Sequence, residues 1–403
     1  MKKTSNKQNR GAVILVVVIT AFITTFTGSA LNLSIPDISK EFTLTASVSG
    51  WIITGYTLAV TFCSIPAGRL ADIKSKKTVL AAGLVIFTSC CIAAVFCMSG
   101  IILIVLRLLQ GVGAAMIFST NTAILTENFP QEERGKVLGY SLAATYAGQS
   151  AGPVLGGVLN YNLGWKSIFI FTEFFSAVSL VATIFKLKSK PADKEHFVRS
   201  NPFKDNPEFK AASISALLNY SATFAISYLV SVYLQNVLGF NSQTAGFIMI
   251  SQPIIMMLLS PVAGKLSDKI SPFKLSAIGM ILCSAGMAVL IFIDDKSPLW
   301  LIIVVLIVTG AGFALFSSPN TNAAMSSVTK DNYGFASSVL ATMRAAGHSI
   351  SMMAVNLVVN IYAAGLSFES IQTDLLIQII NVLFVGFTMV CVAGSVISIR
   401  RFH

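Results

Sequence analysis

Four ionisable side chains lie inside long apolar runs, where a charge is costly. Arg107 and Glu173 each lie about seven residues into a run, and Arg344 and His348 are four residues apart in another. At about 1.5 Å per residue in a helix, seven residues correspond to a depth of about 10 Å. A charge at that depth is unfavourable unless it faces water or a partner, so these side chains are functional candidates.

Proton transfer is chemistry that these residue types can perform. Glu173 is the only acid well inside a predicted helix, and a desolvated carboxyl group can hold a proton near neutral pH. A histidine side chain ordinarily titrates near neutrality, so His348 could share in proton coupling, and Arg344 could attract an anionic substrate group. The structural alternatives stay open: an interfacial Glu173, a packed neutral His348, and an Arg107 that reaches the outer headgroups.

The composition is that of an integral membrane protein. Hydrophobic residues make up 54% of the 403-residue chain and charged residues 11%, which is not the composition of a soluble domain. The formal charge of +11 does not indicate nucleic-acid binding, because the basic residues lie between apolar runs and form no patch. The six cysteines show no metal-ligand spacing, so we expect no metal and no other cofactor.

Twelve stretches are apolar enough and long enough to span a bilayer, which takes about 20 residues. We number them spans 1 to 12, and they lie near 11–34, 47–68, 77–98, 100–122, 136–159, 166–187, 211–235, 243–266, 273–293, 298–320, 334–358 and 374–399. Tight turns are expected near Ser99 and Gly164.

A long polar segment divides the twelve spans six and six. The predicted domains are an N-terminal tail (1–10), an N-terminal bundle (11–187), a linker (188–210), a C-terminal bundle (211–399) and a short tail (400–403). Of the 28 Lys and Arg residues, 23 lie on the side that holds both termini, and only Lys40, Lys166 and Lys296 lie on the other. This bias places both termini, the linker and the C-terminal tail in the cytoplasm.

The two halves repeat one another. The segment 67–72, Ala-Gly-Arg-Leu-Ala-Asp, recurs as Ala-Gly-Lys-Leu-Ser-Asp at 263–268, an offset of 196. At an offset of 199, Gly111, Gly113 and Gly148 among others match Gly310, Gly312 and Gly347. Two parallel six-helix repeats with a midplane cavity between them are a transporter architecture.

Span 5 carries a face of very small residues. Ala144, Gly148, Gly152 and Gly156 recur every four residues, so another backbone can approach this face closely. Pro153 has no N–H, so the helix is expected to bend there. Only the first of these glycines has a glycine counterpart in the second half, which suggests a specialised contact.

Several segments resemble motifs of the major facilitator superfamily, over essentially the whole chain. Gly68 to Lys77 resembles the loop between spans 2 and 3, Arg107 to Ala115 resembles the span 4 motif, and Gly148 to Gly157 resembles the span 5 motif that marks the antiporter branches. The segments 51–59 and 343–347 are similar to helices of the drug/proton antiporters that usually have 14 helices; twelve are predicted here.

The resemblance implies an all-α fold of twelve transmembrane helices in two pseudo-symmetric six-helix bundles that work by alternating access. It implies a cytoplasmic latch in which Gly68 and Asp72 meet the start of span 11 and basic residues such as Arg134, with Asp268 as the repeat counterpart. A solvated loop acid is the alternative for Asp72. The resemblance also makes Arg107 part of proton coupling or of the packing between spans 1 and 4.

The same resemblance assigns the span 5 face to the seam with the second bundle. The residues of this antiporter motif are Gly148, Gly152, Pro153, Gly156 and Gly157.

The chain departs from the antiporter pattern at two places. Where that branch usually has an Asp in span 1, nine residues before a Pro, this sequence has Thr27. Glu173 is the natural substitute, although the sixth helix in this superfamily usually scaffolds the outside of a bundle. In the loop after span 2, Ile73 and Ser75 replace a basic residue and a Gly.

Other polar side chains in the spans are candidates for the substrate cavity or for hydrogen bonds between helices. They are Thr27, Asn32, Tyr56, Gln149, Asn219, Tyr220, Gln252 and Asn356.

We therefore expect a monomeric, multi-pass transporter of the inner (cytoplasmic) cell membrane that works within the lipid bilayer. Its expected function is export of small amphipathic or drug-like molecules in exchange for protons; proton-coupled uptake of a metabolite is the alternative. No His-Glu-x-x-His, Ser–Lys pair or intramembrane carboxylate pair is present, which disfavours an enzyme. The intact antiporter-type motif disfavours a receptor that does not transport.

Overall fold

The computed structural model describes residues 4–129, 131–187, 206–267, 269–328, 333–367 and 370–399. Within these ranges every regular element is helical. The first half contains α1 (Thr4–Ala30), α2 (Ile35–Glu41), α3 (Ala46–Ile73), α4 (Lys76–Val95), α5 (Gly100–Asn128), α6 (Gln131–Leu163) and α7 (Lys166–Lys186). The second half contains α8 (Pro207–Val232), α9 (Ser242–Met249), α10 (Ser251–Ser267), α11 (Pro272–Leu290), α12 (Leu299–Ser326), α13 (Tyr333–Ala363) and α14 (Thr373–Ile399).

The long apolar runs form helices because a bilayer offers no water to hydrogen-bond an open backbone. Ten stretches of the described residues are long and apolar enough to cross a membrane. The fifth and eleventh predicted spans fall on α6 and α13, which have 33 and 31 residues. The predicted fold class is therefore confirmed.

Short connections join several neighbouring helices. The predicted tight turn between α6 and α7 is present, and Gly164 adopts a positive φ of 77° there, which a residue with a Cβ rarely does. Two of the helix starts are capped by asparagine side chains: Asn206 accepts from the Phe209 N–H before α8, and Asn241 accepts from the Thr244 N–H before α9.

The chain forms two compact units. Unit 1 comprises the described parts of Met1–Leu31 and Gly55–Phe197, and unit 2 comprises those of Asn32–Thr54 and Val198–His403. In unit 1, α1 packs against α5, α6 and α7, and α4 packs against α5 and α7. In unit 2, α8 packs against α12, α13 and α14, and α11 packs against α12 and α14. The two units therefore repeat the same pattern of helix neighbours.

By its contacts the segment 32–54 groups with unit 2, and the predicted domain boundaries stay a prediction. Hydrogen bonds within unit 2 account for this: the Asn32 amide donates to Ser227 Oγ at 3.3 Å, and the Asn32 carbonyl accepts from Ser231 Oγ at 3.2 Å. The Asn356 amide donates to Thr54 Oγ1 at 3.0 Å. These partners lie far apart in the sequence, so hydropathy could not reveal the pairing.

The internal repeat seen in the sequence recurs in the closest helix contacts. A Cβ at Gly113 of α5 would lie 2.7 Å from the Gly83 carbonyl oxygen of α4. A Cβ at Gly312 of α12 would lie 2.7 Å from the Gly279 carbonyl oxygen of α11. Because the offsets are the 196 and 199 found in the sequence, the repeat is one of packing as well as of residue type.

Candidate functional site

Arg107 lies two turns into α5 and is almost completely buried, with 1% of its surface exposed. Its guanidinium lies 4.2 Å from the centre of the Tyr56 ring, and one of its nitrogens donates to Gln110 Oε1. A cation over an aromatic face in a desolvated place is an attraction of about 2 kcal/mol. The burial does not fit a side chain that reaches the outer headgroups.

A chain of polar contacts extends from Arg107 across unit 1. The Gln110 amide nitrogen lies 3.0 Å from Cys91 Sγ on α4, and the Tyr56 hydroxyl donates to the Thr24 carbonyl of α1 at 3.1 Å. Gly111 makes this possible, because a Cβ there would lie 2.7 Å from Ala59 Cβ on α3. The Arg107 network therefore joins four helices of one unit.

Glu173 lies on α7 beside this network and is half-buried. Its neighbour Thr172 shares a hydrogen bond of 3.1 Å with Thr27 of α1, and the Cys91 thiol is within electrostatic range of Glu173. Thr27 is fully buried. The residue that pairs with Thr27, Thr172, is therefore the immediate neighbour of Glu173 on α7.

A second cluster of cation and rings lies in unit 2. The Arg344 guanidinium on α13 lies 5.1 Å from the centre of the Tyr220 ring on α8. The His348 ring stacks on Phe224 with centroids 4.0 Å apart and planes 18° apart. The Tyr220 hydroxyl shares a hydrogen bond of 3.2 Å with Ser317 Oγ on α12.

The small-residue face of α6 packs against α1. A Cβ at Gly156 would lie 2.6 Å from Ala30 Cβ and 2.8 Å from Ala30 Cα; Gly148 and Gly152 likewise meet α1. The prediction of a seam with the second bundle named another partner: the observed contact is with the first helix of the same unit. Close approach needs only that two helices run side by side, so a glycine face does not specify which helix covers it.

The predicted latch is described only in part. Gly68 lies on α3 next to Ser119 of α5, whose hydroxyl donates to the Ser64 carbonyl at 2.8 Å. The side chains of Asp72 and Arg134 and the whole of Asp268 lie outside the described residues.

The remaining cavity candidates lie in different surroundings. Gln252 donates to Thr309 Oγ1 at 3.2 Å, and Asn356 pairs with Thr54 within unit 2. Asn219 is fully buried in unit 2, while Gln149 is half-buried beside the α6 glycine face. Their contact with a substrate stays a prediction.

Several residues of these clusters were not predicted from the sequence. Gln110 follows Arg107 by three residues and Phe224 follows Tyr220 by four, so helical spacing placed both on the relevant face. Cys91 and Thr172 carried no comparable signal, because small residues in apolar spans are most often packing residues.

Two units that repeat the same helix packing, with a cation over a tyrosine ring in each set of apolar helices, have the architecture of a secondary transporter. The sequence profile of the Major Facilitator Superfamily matches residues 17–352, and the chain belongs to this superfamily. It is a multi-pass membrane transporter, and the prediction that it is not an enzyme is confirmed.

The relatives include transporters of different kinds. Riboflavin transporter RibZ of Clostridioides difficile is 27% identical over 387 aligned residues, which cover 82% of this chain and 84% of RibZ. Multidrug resistance protein Stp of Mycobacterium tuberculosis is 25% identical over 378 residues, covering 79% of this chain and 70% of Stp. The solved structure of a bacterial homolog of the human lysosomal transporter Spinster has a TM-score of 0.81 at 13% identity, covering 97% of this chain and 96% of the other. That likeness concerns the fold alone.

Proposed function

We propose that this transporter exports small amphipathic or drug-like compounds in exchange for protons, by alternating access. The observation that carries the proposal is the Arg107 network, a buried cation joined by polar contacts to four helices of unit 1. A fixed charge in a desolvated site responds strongly to a second charge that comes and goes, as a transported proton does. The resemblance of Gly148 to Gly157 to the antiporter motif, and the similarity to Stp, favour export.

Glu173 is the proton carrier in this proposal. It is half-buried, adjoins the Thr172–Thr27 pair and lies within electrostatic range of Cys91, which the Gln110 amide contacts. Protonation of Glu173 would remove a negative charge from the neighbourhood of Arg107. The change in field would then alter the stability of the helix contacts that the Arg107 network holds.

The proposal also includes the oligomeric state, the membrane and the orientation of the transporter. The protein acts as a monomer in the cytoplasmic membrane. Both termini lie inside, because the Lys and Arg bias predicts that orientation. We include the cytoplasmic latch that the resemblance implies, in which Gly68 and Asp72 meet the start of span 11 and Arg134, with Asp268 as the repeat counterpart; its opening would accompany transport.

Proton-coupled uptake of a metabolite is the second candidate function. RibZ, a relative of this chain, is named as a riboflavin transporter. This similarity favours riboflavin over other metabolites as the substrate, if the protein works in uptake. A flavin is itself planar and amphipathic, so substrate chemistry alone does not separate export from uptake.

The test is transport in everted membrane vesicles energised by respiration. Export predicts accumulation of a fluorescent amphipathic dye, abolished by a protonophore and absent in vesicles that lack the protein.

Glu173→Gln should abolish coupled transport. The control is Glu208→Gln, which changes an exposed acid at the start of α8 and should leave transport unchanged. Two results together would contradict the export proposal: proton-coupled uptake of a metabolite into right-side-out vesicles, and no export of any dye in a broad panel. Normal pH dependence in Glu173→Gln would remove Glu173 as the carrier.

A further inference from the structure

The ring cluster of unit 2 combines aromatic faces with a cation and hydroxyl groups. His348 and Phe224 form a nearly parallel stack, and Tyr220 meets the His348 ring edge-on with centroids 5.4 Å apart. Tyr220 also meets the Phe313 ring of α12 edge-on at 5.4 Å. Three helices, α8, α12 and α13, therefore supply rings to one place. We call Tyr220, Phe224, Phe313, Arg344 and His348 the ring cluster.

The cation and the histidine of this cluster share one face of α13. With 100° of rotation per residue, Arg344 and His348 lie on one face of α13, roughly opposite to its exposed apolar face. That apolar face consists of Ile350 (49% exposed), Met353 (47%) and Leu357 (60%). Arg344, His348 and Phe224 are nevertheless only half-buried, so part of each side chain is accessible to a ligand.

Further along α13, the residues on the same face are fully buried. Ser351 and Val355, one and two turns after His348, are 0% and 1% exposed. Accessibility on this face therefore ends just after the ring cluster in the C-terminal direction of α13. A site that is open at one level and closed beyond it is what a bound small molecule requires.

The chemistry of the ring cluster selects the ligand. Aromatic faces favour a flat ring, which can stack on the open side of the His348–Phe224 pair. Arg344 disfavours a cationic ligand and offers N–H donors to a carbonyl or other acceptor group. We propose that the ring cluster is a binding site for planar heteroaromatic molecules, neutral or anionic, that carry acceptor groups on the ring. This inference rests on the proposed function, and it narrows the substrate class.

The role of His348 in this site is to supply a ring. One face of the His348 ring is covered by Phe224, with the ring centroids 4.0 Å apart. A ligand would therefore contact the parts of the two rings that this stack leaves accessible. A proton carrier would need the imidazole to titrate, whereas a stacking ring would not. His348→Phe and His348→Ala separate the two roles, since only the first keeps a ring.

The test is binding of lumichrome, a neutral planar three-ring heteroaromatic with ring carbonyls, to the purified full-length protein in detergent. Stacking on protein rings quenches its fluorescence, so the dissociation constant follows from a titration. Removing one ring partner by Phe224→Leu should weaken binding about 2- to 13-fold, the range to which ring-pair energies convert. Phe224→Tyr and His348→Phe should bind within about twofold of the unchanged protein, because both keep the ring.

A matched control comes from unit 1. Phe175 also belongs to a ring pair, with Phe171 at 5.0 Å, and it is half-buried like Phe224. Phe175→Leu should leave lumichrome affinity unchanged. A size-exclusion profile and melting temperature close to those of the unchanged protein establish that each variant is folded.

The outcomes separate this inference from the proposed function. Saturable quenching that Phe224→Leu weakens and Phe224→Tyr preserves supports the ring site. No saturable binding by the unchanged protein, or equal affinity in Phe224→Leu and Phe224→Tyr, overturns it, even if the same protein still exports a non-planar dye in vesicles. Absence of protonophore-sensitive export of any compound contradicts the proposed function and leaves the binding result to stand by itself.

Discussion

The contact between α1 and α6 provides the sharpest test of the packing in unit 1, through Gly156→Ala. The added Cβ would lie 2.6 Å from Ala30 Cβ, 2.8 Å from Ala30 Cα and 3.1 Å from the Ala30 carbonyl oxygen. Ordinary van der Waals distances begin at 3.4 Å. The side-chain methyl at Ala30 has no rotamer to escape into, and two of the three atoms belong to the backbone. The helices must therefore separate, by about 0.6 Å even if only the overlap with the Ala30 α-carbon is relieved.

Two opposed terms set the magnitude. Overpacking of a well-packed contact costs about 1–3 kcal/mol, while replacing Gly by Ala inside a helix gains about 0.8–1.0 kcal/mol. Gly28→Ala on the facing helix α1 isolates the first term, since a Cβ there meets nothing within 4 Å. The free energy of unfolding of Gly156→Ala should therefore be lower than that of Gly28→Ala by about 1–3 kcal/mol.

The assay is unfolding of the purified protein by SDS, followed by its helical circular dichroism, with the three proteins measured together. Ala30→Gly should cost less stability in the Gly156→Ala background than in the unchanged protein, because the helix-propensity cost is the same in both and only the first background gains from removal of the nearest atom. Equal stability of Gly156→Ala and Gly28→Ala would refute the close approach of α1 and α6. An equal cost of Ala30→Gly in both backgrounds would refute Ala30 as the obstructing residue.

Three further predictions concern the other contacts. Arg107→Lys should reduce protonophore-sensitive transport at least about tenfold with little change in melting temperature, because an ammonium is not planar and cannot both lie flat over the Tyr56 ring and donate to Gln110; normal transport would contradict the role of the guanidinium. Gly113→Ala and Gly312→Ala should lower the melting temperature by similar amounts, since a Cβ at either lies 2.7 Å from a glycine carbonyl oxygen; a loss in only one would argue against equivalent packing. A double-mutant cycle of Thr54→Val and Asn356→Ala should give a coupling energy of about 0.6 kcal/mol in SDS unfolding, as for other hydrogen bonds between membrane helices; zero coupling would contradict the bond.

The fold was predictable because it depends on signals that hydropathy carries directly. Runs of about 20 apolar residues must form helices in a bilayer whatever their neighbours are. The offsets of 196 and 199 also predicted the equivalence of the two halves, and Gly83–Gly113 and Gly279–Gly312 now show it as the same backbone approach. Glycine positions are informative in this way because a close approach tolerates no larger residue.

The partners of individual side chains were less predictable. Burial and helical spacing identified Arg107, but they did not specify Tyr56 as the ring beneath it. The glycine face of α6 was identified correctly as a contact surface and assigned to another partner. In both cases the sequence determines which face is suited to contact, while the tertiary arrangement determines which helix lies there. A face of small residues is compatible with many helices, so its partner carries little local signal.

The loss of the usual acid in the first span illustrates how a site can change without a change of fold. Thr27 donates to the Ile23 carbonyl at 2.7 Å and pairs with Thr172, so its hydrogen bonds are satisfied without a charge. An Asp at this buried position would need a proton or a cation, since an isolated carboxylate is costly there. Glu173 lies one residue beyond Thr172 and is half-buried, so water can reach an acid there at lower cost. If Glu173 carries the proton, then Thr27→Asp with Glu173→Gln should restore coupled transport that Glu173→Gln alone abolishes. Failure of the double variant to transport, while it folds normally, would show that the two positions do not serve one path.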